Sequence, residues 1–173
     1  MLNPFATESV TFETPVAMLI ACHDRVRQYA ALTEKLALHL EKYGADAAAV
    51  AGAQSILRYF DVAAPLHHQD EDDDLFPALL AKATPELATI IAEITAEHAE
   101  LGVLWQQVRL ALLAVIAGDA AALTQSLAQQ FAQRYPAHAA REEREIYPFA
   151  AQLLDDACLA QLGKTMSARR QAS

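Results

Sequence analysis

Residues 65–77, PLHHQDEDDDLFP, and residues 136–148, PAHAAREEREIYP, decide how this chain folds. Both read P-x-H-x3-E-x3, then an aliphatic residue, an aromatic residue and Pro, and the second copy lies 71 residues after the first. A His and a Glu four positions apart share one face of an α-helix, about 5–6 Å from each other. Apolar residues continue that face at spacings of three and four. In the first stretch they are Val50, Ala53, Leu57, Phe60 and Ala64, leading to His67 and Glu71. In the second they are Leu123, Leu127, Phe131 and Tyr135 before His138 and Glu142, with Ile146 and Phe149 beyond. The polar residues therefore occupy positions that belong to a core.

Two more helices read outward from these. Thr14-Pro15 is a cap followed by a first-turn proline, and Val16, Leu19, His23, Val26 and Ala30 form a seam running to about Lys42, before Gly44. The helix bearing His67 begins near Asp46. Thr84-Pro85-Glu86 opens a third helix with the seam Leu87, Ile91, Ile94, His98, Leu101, Trp105, Val108, Leu112 and Val115, and Gly118-Asp119 closes it and caps the fourth. Four such seams joined by short connections predict an all-α fold, an antiparallel up-down-up-down four-helix bundle. Its core spans about residues 15–150 of a single domain over 1–173, after an irregular first dozen residues and before a short amphipathic helix following Asp155.

The 173 residues are 54% hydrophobic with five Gly and seven Pro, and Ala makes up about a fifth, a composition that favours closely packed helices. A formal charge of −9 disfavours nucleic acid and anionic membranes as partners. The basic pair Arg169-Arg170 in the tail does not change that balance. Two cysteines, Cys22 and Cys158, are too few for a disulfide scaffold or a cysteine zinc site. The N-terminal residues show no signal peptide, and the apolar run Leu110–Ala117 is far shorter than the ~20 residues of a membrane span, so a soluble, cytoplasmic protein is expected.

His23, His67, His98 and His138 thus fall on the seams of four different helices, with Glu71 and Glu142 one turn beyond two of them. A single seam histidine is ordinarily a hydrogen-bonded core residue. Four on four helices, with two carboxylates, are a different matter, because buried carboxylates need a compensating charge and metal ions supply it. Two hairpins, each bringing a His and then a His-x3-Glu, face each other about a pseudo-two-fold axis and suit two metals. Imidazole with carboxylate fits iron, zinc or manganese. His39 lies about 160° round the helix from His23 and is expected at the surface. His68 is about 100° off the His67 face and stays open. Apart from Glu71, the acidic run Asp70–Asp74 reads as a solvated face, so Asp72 and Asp73 are expected to tolerate conversion to Asn. Glu143 and Glu145 read as surface partners of Arg141 and Arg144, and Cys22, Tyr29 and Trp105 as packing residues. No E-x2-H, H-E-x2-H, C-x2-C or phosphate-binding glycine motif occurs.

The ordered set resembles the hemerythrin-like (HHE cation-binding) domains. It consists of His23-Asp24, His67 to Glu71 with Leu75-Phe76-Pro77, Glu97-His98, and His138 to Glu142 with Ile146-Tyr147-Pro148. The resemblance implies a non-haem di-iron centre held by His23, His67, Glu71, His98, His138 and Glu142, the two carboxylates bridging the irons beside an oxo or hydroxo group. It also implies binding or sensing of O2, NO or peroxide, or sensing or storage of iron. Oxygen-carrying relatives have a further His one turn before the position of His98. Here that residue is Ile94, so the terminal ligand is missing or is replaced by His68, Glu97, Glu143 or water. A di-iron peroxidase or oxidase using the open coordination position is the second reading, and a bundle with a structural metal presenting an interaction surface is the third.

Overall fold

A computed structural model describes residues 10–172. Of the irregular start expected from the sequence, residues 1–9 lie outside the described residues, and the remainder makes a turn in which the Thr14 hydroxyl donates to the Thr11 carbonyl. Four long helices follow: α1 (Pro15–Tyr43), α2 (Ala47–Gln69), α4 (Pro85–Ile116) and α5 (Gln125–Glu145). Between α2 and α4 come a π-helical turn, Asp70–Leu75, and the short α3 (Phe76–Leu80); α6 (Tyr147–Leu153) and α7 (Asp156–Gln171) finish the chain. Among the described residues there is no strand.

The caps explain most boundaries. Asp46 accepts the Ala49 N–H at 2.8 Å, Thr84 that of Leu87 at 3.3 Å and Asp155 that of Cys158 at 2.8 Å. Gly44 and Gly118 carry φ of 72° and 100° where α1 and α4 end, a conformation that costs a glycine little. Two expected boundaries move. Asp119 does not cap the fourth helix but holds a turn through the Ala121 N–H, and α5 starts six residues later behind Thr124, which accepts the Leu127 N–H. Nor does α2 run through Glu71 as one α-helix, since the π turn interrupts it. Pro65 and Pro136 sit inside α2 and α5 without ending them.

The helices form a ring in which α1 packs on α2 and α5, and α4 on the same two. α4 is long and apolar enough to cross a membrane by length and composition, a property that run length in the sequence did not register. Its Ile91, Ile94, Leu101, Val108 and Leu112 are spent on the bundle core.

That core is divided. One block gathers around Phe60, whose ring lies 4.8–5.1 Å from those of Tyr59, Trp105, Phe131 and Tyr135. The other holds Leu19, Leu75, Phe76, Leu79, Ile91, Ile94, Ile146 and Tyr147. Along α1 the blocks meet between Leu19 and Val26, along α4 between Ile94 and Leu101, and at the end of α5 between Tyr135 and Ile146 just beyond the helix. The seam histidines occupy the gap. Phe60→Ala, removing the hub of the first block, should lower unfolding free energy by about 3–5 kcal/mol. Denaturant titration measures this, and a loss within about 1 kcal/mol would mean that the aromatic block carries little of the stability.

Candidate metal centre

All six residues singled out from the sequence converge in the gap between the blocks. His23 comes from α1, His67 from α2, Glu71 from the π turn, His98 from α4, and His138 and Glu142 from α5. All are buried, Glu71 and Glu142 completely. The π turn widens the helix by one residue, so that Asp70 and Glu71 are buried side by side.

The donor atoms form two groups, each within 4.8 Å: His23, His67, Glu71 and Glu142 in the first, and His68, His98 and His138 in the second. Glu142 spans them. Its Oε2 lies 3.1 Å from His23 Nε2, while Oε1 lies 3.2 Å from His98 Nε2 and 3.0 Å from His138 Nε2. Glu71 Oε2 reaches both as well, at 3.4 Å from His67 and 3.6 Å from His98. Its Oε1 accepts the Tyr147 hydroxyl at 2.6 Å, and that hydroxyl is 3.3 Å from His23 Nε2.

Outside the donors stands a ring of carboxylates. Glu143 faces His23 Nδ1 at 2.8 Å, Asp72 faces His98 Nδ1 at 3.0 Å and Glu97 faces His138 Nδ1 at 2.8 Å. Each fixes a proton on Nδ1 and turns the Nε2 lone pair inward, the usual support for a metal-binding imidazole. Arg27 holds Glu143 through two 2.8 Å bonds, and Arg141 holds Glu97 at 2.6 Å. The pseudo-two-fold axis is visible here. The residue after each motif Glu orients the lone His of the opposite hairpin, and Tyr147 stacks on His23 as Phe76 does on His98.

Several features of the sequence reading change. His68 is drawn into the second group, its ring stacked 4.1 Å from that of His98, whereas Ile94 is fully buried packing and Glu97 and Glu143 stand behind imidazoles. The acidic run is not a solvated face. Asp70 is completely buried, Asp72 serves His98, Asp74 pairs with Arg169, and of the five only Asp73 beside these is exposed. Glu143 belongs to His23 and Arg27, although Glu145 does pair with Arg141. His39 is only half-exposed, but it faces Asp46 and stays away from the centre, as expected. Trp105 is core; Cys22 and Tyr29 are part-buried. An acidic residue directly after each motif Glu, and before His98, was the signal in the sequence that marks the orienting carboxylates.

The arrangement fits metal ions, because protein groups alone leave it unsatisfied. His67 Nδ1, Glu71 Oε2, His138 Nε2 and Glu142 Oε2 are buried with no hydrogen-bond partner. Apart from Tyr147 and each other, the two glutamates face histidines. Without metal, protons must do part of the work. Burial, with the Glu142 charge added, raises Glu71 well above the usual carboxylate range. Burial also acts to raise Glu142, yet His138, His23 and His98 around it hold it well below that range. Burial opposes charge on His98, but Asp72 and Glu142 outweigh it and raise this imidazole to about 9. Burial lowers His67, and lowers His68 to about 3.

Two predictions follow from these environments. Asp72→Asn should weaken metal binding by roughly 10–100-fold, while Asp73→Asn leaves it unchanged; chelator competition separates the two, and equal behaviour would remove Asp72 from its orienting role. Loading at pH 7 must expel the protons held by Glu71 and His98, so metal affinity should climb as pH rises toward about 9. The stability that charged His98 lends the metal-free protein runs the opposite way, full below about pH 6.5 and lost through about 9. Proton release on metal addition, read in weakly buffered solution, tests this; none at pH 7 would contradict it.

The family model described as Hemerythrin HHE cation binding domain matches residues 14–150, from the start of α1 to α6. A protein of Haemophilus influenzae, described as uncharacterized, is 36% identical over 161 residues, covering 93% of this chain and 92% of its own length. With its helical ring and its inward histidines and glutamates, the chain belongs to the hemerythrin HHE cation-binding domain family.

Proposed function

We propose that this protein holds two iron ions in a hydroxo- or oxo-bridged pair and uses them to bind or sense a small ligand such as O2, NO or peroxide. The observation that carries the reading is Glu142, which presents one oxygen to each donor group from a fully buried position. His23 and His67 would serve one ion, His68, His98 and His138 the other, with Glu71 and Glu142 between them. A bound iron pair supplies reversible exchange of electrons with a small molecule. The chain contributes three things: imidazoles locked by carboxylates, a dry apolar shell and a hydroxyl. The first group has two imidazoles against three in the second. Beside the first stands the Tyr147 O–H, whose one proton goes to Glu71 Oε1 at 2.6 Å and would have to turn from that oxygen to serve a small ligand. The acidic exterior is in keeping with a soluble protein of the cytoplasm.

The experiment is aerobic iron loading followed by elemental analysis and visible spectroscopy. The expected result is about two irons per chain, with charge-transfer bands that zinc does not give. Glu71→Gln or Glu142→Gln should lose much of the metal, and chelation should lower the thermal midpoint of the wild type, because the ions bind only the folded bundle. Saturation at one ion or none would refute the pair. Rapid turnover of hydrogen peroxide by the loaded protein would move the reading to a peroxidase.

A further inference from the structure

The C-terminal helix α7 begins after the end of the family match at residue 150, yet it packs on the π turn and on α1. Its last turn carries Arg169 and Arg170. Both guanidinium groups reach Asp70, Arg169 through Nη1 to Oδ1 and Arg170 through Nη2 to Oδ2 at 2.6 Å. Arg169 Nη2 also donates to Asp74 Oδ2 at 2.6 Å. Asp70 and Asp74 lie on the same turn as Glu71 and Asp72, the residues that face the donor groups and orient His98.

The helix is itself tied down. Gly163 lies against the carbonyl of Phe12 so closely that a Cβ there would come within 1.8 Å of the oxygen. The Arg170 guanidinium lies over the Phe12 ring, 5.2 Å from its centroid, and its Nη1 donates to the Met166 carbonyl at 2.8 Å. Leu162 and Met166 are buried beneath. The N-terminal segment, α7 and the π turn thus interlock on the outer side of the candidate metal centre.

We propose that α7 is a strap whose arginine pair positions the π turn and so sets how firmly the centre retains its ions, an inference that rests on the metal-centre reading above. Asp70 is completely buried and ionic contacts hold it there. Stripped of both arginines, its carboxylate would be an uncompensated buried charge, a strongly destabilising condition that the turn relieves by swinging Asp70 to water. Glu71 and Asp72, adjacent in the chain, would move with it. Arg169 and Arg170 are positioning residues, acting through Asp70.

The test uses cobalt(II) loaded into the full chain, with its visible ligand-field spectrum and its rate of release to excess EDTA as readouts. Wild type and Phe60→Ala, which loosens only the far core block, should share one spectrum and one release rate. Arg169→Gln with Arg170→Gln should shift the spectrum and release metal roughly 10–100-fold faster, and Arg169→Lys with Arg170→Lys should recover much of the retention. Should the glutamine variant not fold, Gly163→Ala, which pushes α7 outward while keeping both arginines, should accelerate release in the same direction. An unchanged spectrum and rate in the glutamine variant, or in Gly163→Ala where that variant is needed, overturns the strap. So does equal acceleration by Phe60→Ala, which would indicate general loosening. A wild type that takes up no cobalt defeats the metal-centre reading itself, a distinct outcome.

Discussion

Two carboxylates lie in the dry middle of this bundle, and the rest of the structure answers to them. An ion of that size moved from water to a protein interior loses several kcal/mol even after relaxation, so Glu71 and Glu142 stay buried as anions only with positive charge beside them, and otherwise hold a proton, as Glu71 does without metal. No lysine or arginine supplies it at the centre among the described contacts, where the ion pairs of both residues are to histidines. Histidine suits the position because it can be a cation when protons fill the site and a neutral donor when metal does. Two of the carboxylates behind the imidazoles, Glu143 and Glu97, have their own counter-charges in Arg27 and Arg141 at the half-buried surface. Charge alternates outward in layers: carboxylate, imidazole, carboxylate, guanidinium.

Such a layer interrupts the packing that would otherwise run the length of the bundle. The apolar residues respond by dividing into two blocks, each with its own large side chains. Phe60, Trp105 and Phe131 fill one end, and Phe76, Ile91 and Ile146 fill the other. Neither block contains the polar layer; together they exclude water from it on both sides. The division explains why the seam of each helix reads as unbroken in the sequence even though the core is not. His23, His67, His98 and His138 keep the three-and-four spacing of the aliphatic residues around them.

That regularity made the fold legible. Seam spacing, the Thr84 cap and the starts read at Thr14-Pro15, near Asp46 and after Asp155 place four helices within a few residues, although Thr14 makes no side-chain cap and Asp119 does not open α5. The six buried polar positions converge as the seams require. What the spacing could not carry is everything that departs from an ideal α-helix or depends on a second chain segment. His68 lies off the face by α-helical arithmetic, yet it joins the second donor group just ahead of the π turn. Asp70 and Asp72 look like solvent-facing charge until α7 and α4 are brought against them. Their partners, Arg170 and His98, are 100 and 26 residues away, and a local reading of an acidic run has no access to either.

The repeat itself is imperfect in an informative way. Equivalent positions give Tyr147 on His23 but Phe76 on His98, so a hydroxyl is present on one side only. The second group gains His68, while the first keeps two imidazoles and a phenol. Behind His138 stands Glu97, the residue before His98; the corresponding residue before His23 is Cys22, and His67 Nδ1 is left without a partner. Each of these differences alters hydrogen bonding in the low-dielectric interior of the bundle. They make the two halves chemically unequal. Three imidazoles, His68, His98 and His138, gather in one, while in the other His23 and His67 stand with a phenol whose proton goes to Glu71 Oε1.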